Sequence, residues 1–366
     1  KKVAPLFLLS FARPFVVAPA QTCMSQGNSS VGAAPAEVLL DHPPRGFDPK
    51  RNERFAFSYL DERLGDEIAE MKAQLAAAGY DWREPGAPEA WGDTHLYRFV
   101  LGFGSGAAGA EAFARCVDWL QDNEGVSRRE LYTTGAPLEF PRLRLMRKLA
   151  PMQRIGLDYH GCPIIVHYLG MMKPRQLIDA FSAEEIRRFN MLATERTYVQ
   201  LQTLSATDRT LRRSVLILDM GGAFLNMLAP RALALLRAVV GELTTAYVEM
   251  VDKVLFVRVP MASWLQSIAY SLAPARSHHK FTFLGHDFID ELCQYVPWAQ
   301  LPEALITGHP PEEGFGLQEG DVDTEPPGQL EVAGRRDEAI VDASGDGRSF
   351  TGSDSSGSRR GWWSRA

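Results

Sequence analysis

The stretch Ser214–Met227, SVLILDMGGAFLNM, constrains the fold of this chain more than any other. Val215 to Leu218 is continuously apolar and Asp219 closes the run, the signature of a strand buried on both faces. Gly221 and Gly222 follow, where the backbone can turn sharply without a Cβ penalty. A strand covered on both faces requires helices above and below it. The remainder of the chain must supply them.

The periodicities that flank this strand do so. Leu60, Leu64, Ile68, Met71 and Leu75 recur at steps of four, four, three and four, which predicts a helix with one buried face, and Gly79 supplies its stop. Asp93 or Thr94 is placed to cap a second, short helix holding Leu96, Phe99 and Val100, and a third is expected over about 107–120. These form a helical lobe. From Pro141 the pattern changes. Ile155–Tyr159 and Pro163–Leu169 read as strands about a turn at His160 and Gly161. Ser182 with Glu185 makes a capping box that opens a long helix to about Leu204. After the opening strand come a helix over Pro230–Thr245 with Leu233, Leu236, Val240 and Leu243 on one face, and a strand over Val254–Val259. A helix near Met261–Leu272, a strand at Phe281–Leu284 and a helix at Asp287–Val296 complete the alternation. Strands separated by helices imply an α/β fold with a mainly parallel sheet.

Four segments result: a targeting or linker segment over 1–52, a helical lobe over 53–140, a sheet domain over 141–308 and a polar tail over 309–366. The apolar run Val3–Ala20 is broken by Pro5, Arg13 and Pro14, which makes it a poor membrane span. Its basic start and Ala18-Pro19-Ala20 are compatible with a cleaved targeting peptide within residues 1–23, while Met24 is an equal candidate for a start. Beyond Pro310 too few apolar residues remain to build a core, so the tail is expected to be disordered; Trp362 and Trp363 beside Arg359, Arg360 and Arg365 are its one distinct feature.

Charge and cysteine content narrow the function. A net charge of −6 argues against nucleic acid as partner and against broad attachment to an anionic membrane. Arg142, Arg144, Arg147 and Lys148 interleave with Leu143, Leu145, Met146 and Leu149, a basic amphipathic stretch that reads as a solvated helix face or a local membrane contact. Cys23, Cys116, Cys162 and Cys293 are scattered without metal-ligand spacing and are expected to be reduced packing thiols. His278 and His279 adjoin on what reads as an extended segment, so they point apart and do not share a metal. His160, His167 and His286 read as turn or surface residues, and Asp219 as a structural strand end.

Gly102, Gly104, Gly106 and Gly109 imitate a dinucleotide fingerprint at the start of a helix. A convincing strand before them and an acidic strand end after them are both lacking, so a turn between helices is the better reading. A nucleotide-dependent oxidoreductase is kept as the alternative class.

With these pieces in order, residues from about 93 to 308 resemble the CRAL-TRIO family of lipid-binding proteins. Asp93-Thr94-His95-Leu96-Tyr97-Arg98-Phe99 is similar to the family's helical signature, and Asp158-Tyr159-His160-Gly161-Cys162-Pro163-Ile164 to its hairpin. Leu216-Ile217-Leu218-Asp219-Met220-Gly221-Gly222 resembles its strand end; Tyr247-Val248-Glu249, Lys253–Pro260, Lys280–Gly285 and Leu301-Pro302 follow in the same order.

The resemblance implies a sheet-floored apolar pocket for a phospholipid or another hydrophobic small molecule, exchanged without covalent chemistry or a cofactor. The carrier would be a cytoplasmic monomer that touches membranes transiently, and phosphatidylinositol is the favoured ligand. A regulatory membrane-binding module that extracts no lipid is a further alternative. By position, Glu249, Ser277 and Lys280 correspond to residues that hold the inositol phosphate, with Ser214 a partial match to a second head-group site. Ile165, Leu201 and Leu216 stand where that second site would carry polar side chains, which speaks against phosphatidylcholine. Leu101-Gly102-Phe103-Gly104 replaces a basic run and removes one expected cation. The gate helix would be about 262–272, with Trp264, Leu265, Ile268 and Leu272 on its apolar face.

Overall fold

Apolar runs in the central strands, buried on both faces, decide the architecture. The computed structural model describes residues 48, 50–222, 230–259, 263–311 and 315–325. Expectations for residues 1–47, for the tail from 326 and for the side chains of Trp264 and Leu265 lie outside the described residues. The helical lobe contains α1 (Arg51–Arg54), α2 (Phe57–Ala77), α3 (Thr94–Phe103), α4 (Gly106–Asp122) and α5 (Gly125–Thr133). Then come β1 (Leu138–Phe140), α6 (Leu143–Leu149), β2 (Met152–Leu157), β3 (Pro163–Tyr168), α7 (Pro174–Ala180) and α8 (Ala183–Asp208). The second half holds β4 (Ser214–Asp219), α9 (Pro230–Ala246), β5 (Val251–Val257), α10 (Ser263–Leu272), β6 (Phe281–Phe283), α11 (Ile289–Leu292), α12 (Glu303–Thr307) and β7 (Asp321–Asp323).

The main sheet has the order β2-β3-β4-β5-β6, with β4 at its centre. Only β2 runs antiparallel to its neighbour; β3, β4, β5 and β6 are parallel. One face carries Ile164, Val166, Val215, Ile217, Leu255 and Val257, packed against Leu284, Phe288, Leu292 and Leu305 of the chain's C-terminal third. Because strand side chains alternate, the other face carries Ile165, His167, Leu216, Leu218, Val254 and Phe256. That second face is the floor of a cavity.

β4 ends as its sequence requires. Asp219 is buried and bonded by Arg258 through two of the guanidinium nitrogens, a structural pairing. Gly221 then passes so close to Gly170 that a Cβ on Gly170 would fall 1.2 Å from the Gly221 carbonyl oxygen. The turn is therefore built from two backbones in direct contact.

Local signals correspond closely to helices. α2 buries Leu60, Leu64, Ile68, Met71 and Leu75, and Gly79 takes φ +80° after it. Both halves of the Ser182–Glu185 capping box are formed, and α8 runs on to Asp208. Asp93 occupies the N-cap of α3 but makes no cap bond, because its carboxylate binds Lys72 at 2.6 Å instead. Cys116 and Cys162 are buried free thiols and Cys293 is a partly buried one; burial pushes all three up.

The glycine-rich turn serves packing. A Cβ on Gly102 would meet Val248 at 2.4 Å, and one on Gly106 would meet the Glu67 carbonyl oxygen at 2.2 Å. The element before it is the helix α3, not a strand. The small residues let α3 and α4 approach their neighbours.

Four expectations are corrected. The basic stretch is α6, but Arg147 is buried and bonded to Asp321, so this helix presents no continuous solvated or membrane-facing basic stripe. Order extends beyond residue 309: β7 returns to pair in parallel with β1, a contact between residues far apart in sequence. Residues Ala275–Lys280 form a 3-10 turn, not an extended segment, and His278 lies against the carbonyls of Tyr270 and Ala273. His160 occupies the turn yet is buried, and His167 lies in β3 on the cavity face; His286 is exposed.

Candidate functional site

The cavity encloses about 490 Å³. Its floor is the second face of the sheet; its walls are Phe189 and Ala193 of α8 and Leu236, Val239 and Leu243 of α9, with Ile268 and Leu272 of α10 lining a further side. The helical faces predicted for 230–245 and 262–272 thus converge on one space. Ile165 and Leu216 line it as expected. Leu201 does not. The cavity face of α8 ends at Thr197, and one turn later Leu201 is wholly buried in the core shared with the helical lobe.

At one end the apolar lining gives way to Ser214, Glu249, Ser277 and Lys280, all of which face the cavity. The Lys280 ammonium donates to Glu249 Oε1 at 2.7 Å and to the Val251 carbonyl at 2.9 Å. Glu249 Oε2 accepts from Arg213 at 3.0 Å. Burial alone would raise the Glu249 carboxyl, but Lys280 and Arg213 outweigh it and hold it below its ordinary value. The Lys280 ammonium is itself lowered, burial outweighing the nearby carboxylate. Ser214 donates its hydroxyl to the Met250 carbonyl at 3.1 Å, whereas the Ser277 hydroxyl has no partner among the described residues.

The pairs extend outward as a chain. Arg213 contacts Asp252 at 2.5 Å, Asp252 contacts Arg51 at 2.9 Å, and Arg51 reaches Asp158 at 3.4 Å. Arg98 of the helical signature is buried and donates to the Glu249 carbonyl at 2.8 Å, fixing a residue held at φ +52°. The lobe therefore positions the carboxylate backbone at the polar end of the cavity.

Two cations at this end escaped the sequence reading. Arg213 precedes β4 and has no periodic signal. Arg276, beside Ser277, also lines the cavity; it lies 4.4 Å over the ring of Phe103 and donates to the Thr244 carbonyl at 3.3 Å. Phe103 belongs to the segment that lacks the expected basic run, so a cation reaches this place from a distant part of the chain. Lys280 is tied to a carboxylate, while among the described residues no carboxylate bonds Arg276, which leaves this end with positive charge available to an anion.

The floor has one ionisable interruption, His167. Burial, reinforced by the charge of Arg147, pushes its imidazole down to about 4, so it is neutral at pH 7.

Residues 152–305 match the family model of the CRAL/TRIO domain, which covers the sheet and cavity floor but not the helical lobe. Among solved structures, the crystal structure of Sfh5 is similar with a TM-score of 0.47 at 16% identity, over 81% of this chain and 99% of that one.

Proposed function

We propose that this chain, which carries a CRAL/TRIO domain over residues 152–305, binds one membrane lipid in its cavity and carries it between membranes, with phosphatidylinositol the favoured cargo. One observation carries this reading: a deep, largely apolar cavity that ends in a cluster of ionic and hydroxyl groups. Such a space matches a molecule with a long apolar body and a single anionic, hydroxylated head.

The physical need for a cavity is clear from the cost of going without. Moving a two-chain lipid through water exposes about 30 methylene groups at about 0.8 kcal/mol each. An apolar interior substitutes for the bilayer, and exchange then needs only that the wall open. The apolar Ile268 and Leu272 on α10 support a gate on that side, placed to part from the cavity on contact with a bilayer. Among the described residues no helix is long and apolar enough to cross a membrane, which fits transient contact. In this reading the protein is a monomeric cytoplasmic carrier, not an enzyme, and needs no cofactor beyond its lipid.

Lys280, Arg276 and Ser277 are the phosphate ligands in this scheme, and Glu249 accepts from the inositol hydroxyls. Vesicle-to-vesicle transfer of labelled phosphatidylinositol, with phosphatidylcholine as comparison, is the test. Faster phosphatidylinositol transfer that falls on Lys280→Met supports the head-group assignment. Transfer of neither lipid would remove the carrier function.

A further inference from the structure

His167 stands alone as an ionisable group on the cavity floor. In register it pairs with Met152 on one side and Leu218 on the other, so apolar side chains flank it. The ring is partly open to the cavity and has no hydrogen-bond partner among the described residues. Thr194, on the α8 wall of the same cavity, likewise makes no side-chain bond. Both line the same cavity, and their neighbours indicate the level of each along it. Further along α8, Thr197 accepts from Arg154 at 2.6 Å, the residue opposite Ile165; towards the start of α8, Phe189 stacks with Arg147, whose charge is felt by His167. Thr194 lies between these points on the helix.

Position along the sheet fixes how far this place is from the head-group end. Lys280 bonds the carbonyl of Val251, the residue opposite Ser214, and His167 is opposite Leu218. Four residues at roughly 3.3 Å each separate the two levels by about 13 Å. The ester carbonyls of a glycerophospholipid lie only a few bonds from its phosphate and fall short of that distance. An unmodified acyl chain crossing His167 would leave a polar ring unpaired, which sites built for hydrogen bonding penalise strongly.

We propose that His167 and Thr194 form a second polar station that selects lipids carrying an oxygen, as a hydroxyl or carbonyl, in the middle of an acyl chain. This rests on the lipid-carrier reading and adds a chain-selective element to it. The neutral imidazole offers one acceptor and one donor, and the threonine hydroxyl offers both, so a chain hydroxyl is satisfied at either partner.

The test offers the full chain vesicles containing two phosphatidylinositols in equal amount, one with a mid-chain hydroxyl on its second acyl chain and one without, and weighs the captured lipid by mass spectrometry. A third lipid, hydroxylated at the chain end, controls for polarity alone. The parent is expected to retain the mid-chain hydroxyl form about tenfold over the plain one, the factor that 1.4 kcal/mol represents. His167→Leu should invert the preference while still loading plain lipid, and His167→Gln, which keeps a donor and an acceptor, should restore part of it. Equal capture of all three lipids by the parent, or an unchanged preference in His167→Leu, overturns the station while leaving the carrier intact. Capture of no lipid by parent or variants overturns both.

Discussion

The ion pairs around Glu249 are unequal in a way that separates folding from ligand choice. Glu249 lies between Lys280 at 2.7 Å and Arg213 at 3.0 Å, with side-chain exposures of 12%, 7% and 10% respectively. Glu249→Gln leaves Arg213 with Asp252 at 2.5 Å but leaves the buried Lys280 ammonium without its carboxylate partner, with only neutral acceptors, the Val251 carbonyl and the new amide oxygen. Removing one partner of a buried pair costs about 3–5 kcal/mol, and the retained carbonyl places this substitution near the lower end. Lys280→Met is different. Glu249 keeps Arg213, and the thioether chain fills the space of the lysine stem, so the expected loss is about 1 kcal/mol. Urea unfolding of parent, both single variants and the double variant measures these values, and the double variant should recover most of the Glu249→Gln loss. The Glu249 carboxyl is held below its ordinary 4.5 when folded, so its contribution is complete above that value and is lost as pH falls through the depressed one. Glu249→Gln should flatten the acid limb accordingly. If Lys280→Met destabilises as much as Glu249→Gln, or the double variant shows no recovery, the pairing has been misjudged and loss of lipid selectivity in Lys280→Met would not report on the head group.

Three further outcomes follow from the geometry. Gly170→Ala forces a Cβ against the Gly221 carbonyl, where the nearest atoms are all backbone, and should cost more than about 2 kcal/mol in urea unfolding; an unchanged midpoint would contradict the close approach. Leu201→Ala should lose about 2–5 kcal/mol of stability without altering the lipid captured, whereas Ile268→Ala, on the cavity wall, should alter capture with a smaller stability loss; the reverse pattern would return Leu201 to the pocket. His167, lowered from 6.5 to about 4 on folding, contributes stability that is complete above 6.5 and is lost as pH falls towards 4, up to about 3 kcal/mol. His167→Gln should remove that part of the acid loss, and identical pH curves for parent and variant would contradict it.

What the sequence made legible was local. Val215–Asp219, the Ser182–Glu185 box and the face of Leu60–Leu75 are each specified by neighbours within a few residues, and each appears in the fold. Glu249, Ser277 and Lys280 could be placed at one end of the pocket only through resemblance, since separate elements bring them together. Leu201 was misassigned because it was placed by resemblance alone, and positional correspondence does not say where along this helix the cavity stops. Arg276 and Phe103 meet through tertiary packing across more than half the described chain, a pairing with no linear signal. The β1–β7 pair was missed for a related reason: strands of three residues carry no usable period, and one of them sits in a polar segment whose composition argues against structure. His167 was read as a surface or turn residue because a single histidine near a strand end gives no local sign of which face of the sheet it joins or of what covers that face.

The central claim is that the cavity holds a lipid in place of the bilayer. Mass spectrometry of organic extracts from the purified full chain tests it most directly. The expected result is one lipid per protein, dominated by a phosphatidylinositol species and reduced in the Lys280→Met variant. Extracts without stoichiometric lipid, from protein that also captures none when offered vesicles, would contradict it.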